Sequence, residues 1–263
     1  MTAPAVVLCT DFGLADPYVG EMKGALYAQW CRYPGVSERP AVIDLCHDVP
    51  AGDVAAGAFV LARGAGHFPP GTVFVAVIDP GVGTGRLALA VGAAGKIYVA
   101  PGNGLLAHLA SEPDLVVRVF DRPPSADAGE PSATFHGRDL FAPTAAHLAA
   151  GLPLEAVGAP GTVSDLGVLP ELVLDDGALG RVVWIDRFGN AVTDVAPESA
   201  GGRALILDGL VVDGPRRTYG DAPAEAPFWY VGSGGTVEFA LRGGHGARTF
   251  SWHVGMAVRL SAP

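Results

Sequence analysis

Charged residues are scarce in this sequence, and basic residues are the scarcer kind. Only 17% of the 263 residues are charged, whereas 49% are hydrophobic. This composition excludes an intrinsically disordered chain and allows a sizeable core. The 17 basic residues are outnumbered by 27 acidic ones, which gives a net charge of −10. That charge is unsuited to binding nucleic acid or an anionic membrane, whereas it is compatible with a small or cationic ligand.

Cysteine is also rare, and its spacing argues against two kinds of site. The three cysteines, Cys9, Cys31 and Cys46, are an odd number without a Cys-x-x-Cys pair, so the sequence predicts neither a disulfide framework nor a zinc site. The seven histidines show no paired spacing such as His-Glu-x-x-His. A reduced compartment fits this cysteine usage, and we expect a cytoplasmic protein.

Long hydrophobic runs are absent as well. No apolar segment approaches the roughly 18 residues that would span a bilayer. The N-terminal residues lack the basic stretch of a signal peptide. The sequence therefore predicts neither a membrane span nor a secretion signal.

The first part of the chain alternates short apolar strands with helix-like segments. The predicted order is strand 5–10, helix 16–30, strand 41–45, helix 53–63, strand 72–78, strand 88–91, strand 96–100 and helix 141–150. Alternation of this kind favours an α/β domain with a mostly parallel sheet. The proline-rich stretch 121–131 is predicted to be a surface loop.

The pattern changes in the last third of the chain. Glycines and prolines in 158–170 are typical of a domain linker. The later apolar runs are short strands separated by turn residues, at 180–186, 204–207, 236–241 and 256–260. With no helix among them, the sequence predicts an all-β module, a compact barrel or sandwich. The expected division is an N-terminal α/β domain, 1–168, and a smaller C-terminal all-β domain, 169–263.

An acid and a guanidinium lie on one glycine-rich loop directly after the predicted strand 72–78. The loop is Asp79-Pro80-Gly81-Val82-Gly83-Thr84-Gly85-Arg86. Because open α/β sheets bind ligands at the carboxyl ends of their strands, Asp79 and Arg86 are candidate active-site residues. The structural alternative is that Asp79 only turns the chain and Arg86 is a solvated cation.

Other polar residues follow a predicted strand or precede a predicted helix. Asp11 and Asp16 flank the loop after the first strand, where two carboxylates suit a vicinal diol, an ammonium group or a metal ion. Alternatively, Asp11 only caps the next helix. His136 precedes a predicted helix, and histidine is suited to proton transfer near neutral pH, although a lone histidine is more often structural.

Two further polar segments lie in the predicted all-β module. The run Asp186-Arg187-Phe188-Gly189-Asn190 is typical of a hairpin turn, yet its acid, aromatic ring and amide also suit an amino acid or a purine. Ser233-Gly234-Gly235 is either a turn or a nest of backbone N–H groups that binds a carboxylate.

Six motifs in one order resemble those of a known family. They are Thr10-Asp11-Phe12-Gly13, Asp16-Pro17-Tyr18-Val19-Gly20-Glu21-Met22-Lys23-Gly24, Asp79-Pro80-Gly81-Val82-Gly83 with Arg86, Pro101-Gly102-Asn103-Gly104, Phe135-His136-Gly137-Arg138-Asp139 and Asp186-Arg187-Phe188-Gly189-Asn190. Over nearly the whole chain, the sequence is similar to the S-adenosyl-L-methionine (SAM) hydroxide adenosyltransferases, relatives of the fluorinase and the chlorinase.

The resemblance implies an N-terminal α/β domain and a C-terminal β-barrel, in a homotrimer with active sites between neighbouring subunits. It implies that SAM and water react to give adenosine and L-methionine. SAM is then the substrate, and no cofactor or metal ion is expected. By position, Asp79, Arg86 and His136 match the family's water-activating acid, arginine and histidine.

The resemblance also implies roles in binding the substrate. Asp11 matches the carboxylate that binds the ribose hydroxyls, and Asp16 and Asp186 match residues near the methionine ammonium group. Phe188 and Asn190 match residues on the adenine side.

Agreement with the family is weaker toward the C-terminus and stronger at the water-activating residues. Ser233 matches the serine near the methionine carboxylate, but Gly234 stands where the fluorinase has an arginine, and 241–244 is not a close copy of its adenine-facing loop. Halogenating relatives carry a non-acidic residue in place of Asp79 and a tyrosine or similar residue in place of His136. This chain therefore has the hydrolytic set.

Three other activities stay open at this point. A SAM-dependent halogenase would use the same fold. A metal-dependent phosphohydrolase would use Asp11, Asp16, Asp79 and His136 as ligands, because hard cations prefer carboxylate oxygens. A non-catalytic nucleoside-binding protein would keep Asp11 and Asn190 for recognition.

Overall fold

The computed structural model describes residues 5–33, 39–125, 129–169 and 177–261. The chain divides into two compact units, Met1–Glu171 and Leu172–Pro263. The boundary expected from the sequence, between residues 168 and 169, lies three residues before this division. Residues 170–176, which follow the first residue of the predicted second domain and include the last residue of the predicted linker, lie outside the described residues. Residues 126–128 in the predicted surface loop also lie outside them.

The N-terminal unit contains a seven-stranded sheet. Its strands are β1 (Val6–Thr10), β2 (Val42–Cys46), β3 (Val73–Val77), β4 (Ala88–Ala93), β5 (Lys96–Pro101), β6 (Val116–Phe120) and β7 (Ala159–Pro160). They lie in the order β2-β1-β3-β5-β4-β6-β7, parallel from β2 to β5 and antiparallel from β5 to β7. Only β4 and β7 run against the other five strands. The predicted α/β class with a mostly parallel sheet is confirmed.

Helices pack on this sheet. They are α1 (Tyr18–Trp30), α2 (Val54–Ala65) and α3 (Ala142–Ala149), the last preceded by a π-helical turn at Gly137–Phe141. Met22 and Leu26 of α1 belong to one buried cluster with residues of α3, β1 and β3. Asp53 is the N-cap residue of α2, and its carboxylate accepts a 2.9 Å hydrogen bond from the Ala56 N–H. Every residue of β1 and β3 is buried, which explains their uninterrupted apolar sequences.

The prediction of a linker at 158–170 is wrong for the residues of that stretch that the structure describes. It contains β7, which pairs antiparallel with β6, a strand that was not predicted either. A 3₁₀ turn follows at Val163–Leu166, and the Leu166 carbonyl accepts a 2.9 Å hydrogen bond from the Gly104 N–H. Proline is tolerated on an edge strand, where β7 lies. The glycine and proline content therefore concealed a short strand. Two more 3₁₀ turns lie at Ala107–Leu109 and Leu154–Ala156.

The C-terminal unit is a closed seven-stranded barrel. Its strands are β8 (Ala178–Ile185), β9 (Ala191–Thr193), β10 (Leu205–Leu207), β11 (Leu210–Arg216), β12 (Pro227–Val231), β13 (Val237–Leu241) and β14 (Ala257–Leu260). The order around the barrel is β10-β11-β12-β13-β9-β8-β14, and β14 pairs with β10 to close it. Trp229 and Phe239 are buried in its core. The predicted β-barrel is confirmed.

The expectation that this module contains no helix is wrong. Two short helices, α4 (Pro197–Ala200) and α5 (Gly246–Phe250), and a 3₁₀ turn at Tyr219–Asp221 connect its strands. Helices of four and five residues are too short to show a periodic apolar face. Across both units, the described residues include no helix of the length and apolarity needed to cross a membrane.

Candidate active site

A cavity of about 490 Å³ lies beside the carboxyl ends of β1 and β3 in the N-terminal unit. Its lining includes Asp11, Phe12, Asp79, Phe135, His136 and Gly137. Asp11 directly follows β1, and Asp79 follows β3 after one residue. The two acids expected at strand ends, and His136, expected before a helix, therefore lie at one cavity.

Asp79 and Arg86 form a two-nitrogen ion pair at this cavity. Arg86 Nε lies 2.9 Å from Asp79 Oδ1 and 3.1 Å from Oδ2, and Arg86 Nη2 also donates to Oδ2. The Asp79 and Arg86 side chains are only 5% and 10% exposed, so Arg86 is not a solvated cation. The loop between them is closely packed, because a Cβ at Gly83 would lie 2.5 Å from the Ala133 carbonyl oxygen.

Arg86 also contacts His136. Its Nη2 donates to His136 Nδ1 at 2.7 Å, and the guanidinium carbon lies 5.2 Å from the centre of the Phe141 ring. Burial, then the positive charge of Arg86, lowers the pKa of His136, although Asp79 and Asp139 oppose this shift. A guanidinium has donors and no acceptor, so His136 Nδ1 is the acceptor and Nε2 carries the proton of the neutral ring.

Asp11 faces the same cavity without capping a helix. Its Oδ2 accepts a 2.8 Å hydrogen bond from the Gly52 N–H, and the N-cap residue of α1 is Pro17. The capping alternative for Asp11 is therefore wrong. Burial raises the pKa of Asp11, the Gly52 hydrogen bond opposes this rise, and the charge of Asp79 adds to it. Asp16 is exposed and is not among the residues that line the cavity.

Aromatic rings form another part of the wall, a role that the sequence did not suggest. The ring centres of Phe12 and Tyr18 lie 5.7 and 5.4 Å from that of Phe135. Gly137 leaves room for them, because a Cβ there would lie 3.2 Å from the Phe135 ring and 3.1 Å from Met22 Sδ. Phe12, Tyr18 and Phe135 all lie inside the sequence motifs given above, and this position could have indicated their role. Gly52 was missed too, although its loop follows β2.

In the C-terminal unit, the Asp186–Asn190 segment is the predicted hairpin turn, between β8 and β9. Asp186 Oδ1 accepts from the backbone N–H groups of Phe188 and Asn190 at 2.9 and 2.8 Å, and Oδ2 accepts from Asn190 Nδ2 at 2.7 Å. The Phe188 side chain is 74% exposed, whereas Asn190 is buried. Asp186 thus organises the turn and holds the Asn190 side chain.

Ser233 lies in the turn between β12 and β13 and is exposed. The turn is closed by hydrogen bonds from the Gly232 N–H to the Thr236 carbonyl and from the Gly235 N–H to the Gly232 carbonyl, at 2.9 and 3.0 Å. Gly235 has a φ of +81°, a value that favours glycine. The turn is confirmed, while carboxylate binding there stays a prediction. In neither described unit do three or more His, Cys, Asp or Glu side chains form a group that could hold a metal ion.

Comparison with known families covers both units. The family model for the SAM hydroxide adenosyltransferase N-terminal domain matches residues 6–158, and that for the C-terminal domain matches residues 180–259. This chain belongs to the SAM hydroxide adenosyltransferase family. The resemblance seen in the sequence is thereby confirmed.

Two hydrolase relatives match over nearly their full length, and a fluorinase matches over a shorter part. An (R)-S-adenosyl-L-methionine hydrolase from Thermus thermophilus is 42% identical, over 97% of this chain and 98% of that protein. One from Salinispora arenicola is 37% identical, over 99% of both chains. A fluorinase from Nocardia brasiliensis is 31% identical, over 73% of this chain and 71% of its own. The hydrolases are thus more similar to this chain than that fluorinase.

Solved structures also match. A conserved protein from Thermus thermophilus superposes with a TM-score of 0.78 and 39% identity, and an uncharacterized conserved protein from Thermotoga maritima with a TM-score of 0.83 and 30% identity. Each match covers 98% of this chain and 100% of the other.

Proposed function

We propose that this enzyme hydrolyses SAM at the ribose C5′ atom and releases adenosine and L-methionine. The observation that carries the proposal is the Arg86 guanidinium, which joins Asp79 and His136 at the cavity wall. The hydrolase relatives bear the (R) designation in their names, so we propose the (R) epimer of SAM as a substrate.

The reaction asks little of the protein beyond positioning and accepting a proton. Water oxygen attacks C5′, and the C5′–S bond breaks with its electron pair remaining on sulfur. The sulfonium leaves as a neutral thioether, so no acid is needed for the leaving group. Orientation of water in line with that bond is the main task. A protein of net charge −10 also suits a cationic substrate.

Asp79 and His136 have different roles in this proposal. Asp79 is the base that accepts the water proton, since a carboxylate has lone pairs beyond those used by Arg86. His136 directs its Nε2–H to the water oxygen and fixes the orientation of that water. Arg86 stabilises the Asp79 carboxylate and sets the His136 tautomer.

The remaining site residues are proposed to bind SAM. Asp11 accepts from the ribose hydroxyls, and Asp16 and Asp186 lie near the methionine ammonium group. Phe188 and Asn190 contact adenine. The raised pKa of Asp11 is consistent with a carboxylate that is removed from bulk water.

Ser233 is proposed to bind the methionine carboxylate. We further propose a cytoplasmic homotrimer with active sites between subunits and no cofactor or metal requirement. Light scattering coupled to gel filtration measures the oligomer, and three times the 26.8 kDa chain mass is the expected result.

The activity is tested by chromatography of products from the separated (R) and (S) epimers of SAM, with and without chloride and with and without EDTA. Adenosine and methionine, unaffected by EDTA, are expected. A 5′-chloro nucleoside would indicate a halogenase instead. Loss of activity in EDTA would contradict the metal-free reaction, and intact substrate under all conditions would favour the nucleoside-binding alternative.

A further inference from the structure

A buried pair of polar side chains lies behind the Asp11 side of the cavity wall. Thr10 has no exposed surface, and His47 is only 4% exposed. Neither residue lines the cavity. Thr10 Oγ1 lies 2.8 Å from His47 Nδ1. Polar groups are retained in a core when they are paired, and Thr10 directly precedes the candidate ribose-binding carboxylate of Asp11 in the sequence.

His47 also contacts a surface ion pair between Asp44 and Lys23. This contact bears on which nitrogen of the His47 ring carries the proton. His47 Nε2 lies 3.0 Å from Asp44 Oδ1, and Lys23 Nζ lies 2.7 Å from Asp44 Oδ2. Burial raises the pKa of Asp44, but the neighbouring Lys23 and His47 outweigh it and lower that pKa overall. An ionised carboxylate has no proton to donate, so its position beside Nε2 favours the ring proton on that nitrogen. In the neutral ring, Nδ1 then accepts from the Thr10 hydroxyl.

Toward the cavity, the same residues hold the loop that carries Asp11. Thr10 Oγ1 accepts a hydrogen bond from the Phe12 N–H at 3.3 Å. The His47 carbonyl accepts one from the Gly13 N–H at 2.7 Å. The two segments also meet at Asp11 itself, which accepts from the Gly52 N–H at 2.8 Å. The loop after β1 is thus bonded to the loop after β2 on both sides of Phe12.

We propose that His47 is a positioning residue, which acts through Thr10 to hold Asp11 and Phe12 in the geometry that binds the ribose. It does not touch the substrate. The inference rests on the proposed function, because it requires Asp11 to contact the ribose hydroxyls. Its consequence is that the bond to Thr10, rather than the volume of the imidazole, determines the affinity for the nucleoside.

Two substitutions of His47 distinguish an effect of the hydrogen bond to Thr10 from an effect of side-chain volume. In His47→Asn, the carboxamide oxygen lies near the Nδ1 position and still accepts from Thr10. In His47→Gln, the carboxamide reaches toward Asp44 instead, and the bond to Thr10 is lost. We expect His47→Gln to raise the Kd for adenosine and the KM for SAM by about tenfold, the size of one lost hydrogen bond. For His47→Asn we expect less than about threefold.

Thr10 provides an independent variant and the chain provides a matched control. Thr10→Val removes the hydroxyl with little change of shape and should raise the Kd for adenosine as much as His47→Gln does. Thr10→Ser keeps the hydroxyl and should bind adenosine like the wild type. Thr72 is also buried, and its hydroxyl donates to the Pro69 carbonyl at 2.8 Å. It lies at the amino end of β3, away from Asp79. Thr72→Val should alter the melting temperature without altering the Kd for adenosine.

Calorimetric titration with adenosine and steady-state hydrolysis of SAM are the measurements. Support requires Kd and KM to rise together in Thr10→Val and His47→Gln, with a smaller change in kcat. The proposal is overturned if His47→Gln binds adenosine like the wild type, if His47→Asn is the weaker of the two, or if only kcat falls. A wild-type protein that binds adenosine but leaves SAM intact would contradict the proposed function alone.

Discussion

Arg86 Nη2 donates a 2.7 Å hydrogen bond to His136 Nδ1, and this contact fixes which nitrogen of the ring carries the proton. The same guanidinium holds Asp79 through Nε and Nη2. Asp79 and His136, which both line the cavity, therefore present different hydrogen-bonding groups to it. Asp79 offers acceptors, whereas His136 offers a donor. A mechanism in which neutral His136 takes the water proton at Nε2 is incompatible with this arrangement.

Protonation of His136 should lower the activity. Burial and the charge of Arg86 lower its pKa, so the ring is neutral at neutral pH. As the pH falls through that lowered pKa, Nδ1 gains a proton and the imidazolium repels Arg86. We expect kcat/KM for SAM to be flat near neutral pH and to fall only below the ordinary histidine value of about 6.5. An acid limb that begins above this value would contradict the assignment.

Removal of the base should affect turnover more than binding. Asp79→Ala is expected to lower kcat by about 10²- to 10⁴-fold, with SAM binding largely kept. Equilibrium dialysis and single-turnover assays separate the two effects. Asp114→Ala is the control, because that carboxylate accepts from the Ala94 and Gly95 N–H groups in an exposed turn and does not line the cavity. Turnover near the wild-type rate in Asp79→Ala would exclude Asp79 as the base.

His136→Ala tests the donor separately. Loss of the Nε2–H leaves the water without one of its two partners, so we expect a large fall in kcat with binding largely kept. His136→Gln, which places an amide N–H near the Nε2 position, should recover part of the rate. A higher rate in His136→Asn than in His136→Gln would contradict a donor at the Nε2 position.

Replacing the fork of Arg86 with a single ammonium should uncouple its two partners. Lysine keeps the charge but cannot hold Asp79 with two nitrogens while it donates to His136. We expect Arg86→Lys to lower kcat at least about tenfold. The acid limb of the pH profile should also move to higher pH, because His136 Nδ1 loses the hydrogen bond from Arg86 that opposes its protonation. An unchanged acid limb and an unchanged kcat would show that the guanidinium of Arg86 is dispensable.

Asp11 should control nucleoside binding. Asp11→Ala removes the proposed acceptor for the ribose hydroxyls, so we expect a higher Kd for adenosine with a smaller change in kcat. Burial raises the pKa of Asp11 above the ordinary carboxyl value, and the carboxylate is therefore lost at higher pH than usual as the solution is acidified. Calorimetry across acidic pH should show adenosine binding weaken in that range in the wild type and not in Asp11→Ala.

Much of the fold could be predicted because its main signals are local. The apolar runs of β1 and β3 indicated buried parallel strands, and the rule that ligands bind at strand ends brought out Asp11 and Asp79. Elements without a periodic pattern were missed, among them β7 and α5. Their positions depend on pairing with distant segments rather than on their own composition.

The contacts that organise the site could not be predicted from the sequence. Thr10 and His47 are 37 residues apart, and Arg86 and His136 are 50 apart. No local pattern encodes such a hydrogen bond. The motifs indicated Asp11, Asp79, Arg86 and His136 as candidates, which the structure brings together. The direction of each hydrogen bond, and hence the proposed choice between base and donor, required the three-dimensional arrangement.

If water attacks C5′ of SAM, the oxygen of that water becomes the 5′-hydroxyl oxygen of adenosine. SAM is incubated with the enzyme in water labelled with heavy oxygen, and the products are analysed by mass spectrometry. We expect the label in the 5′-hydroxyl of adenosine, whereas methionine should stay unlabelled. Unlabelled adenosine, or label in methionine, would contradict attack of water at C5′.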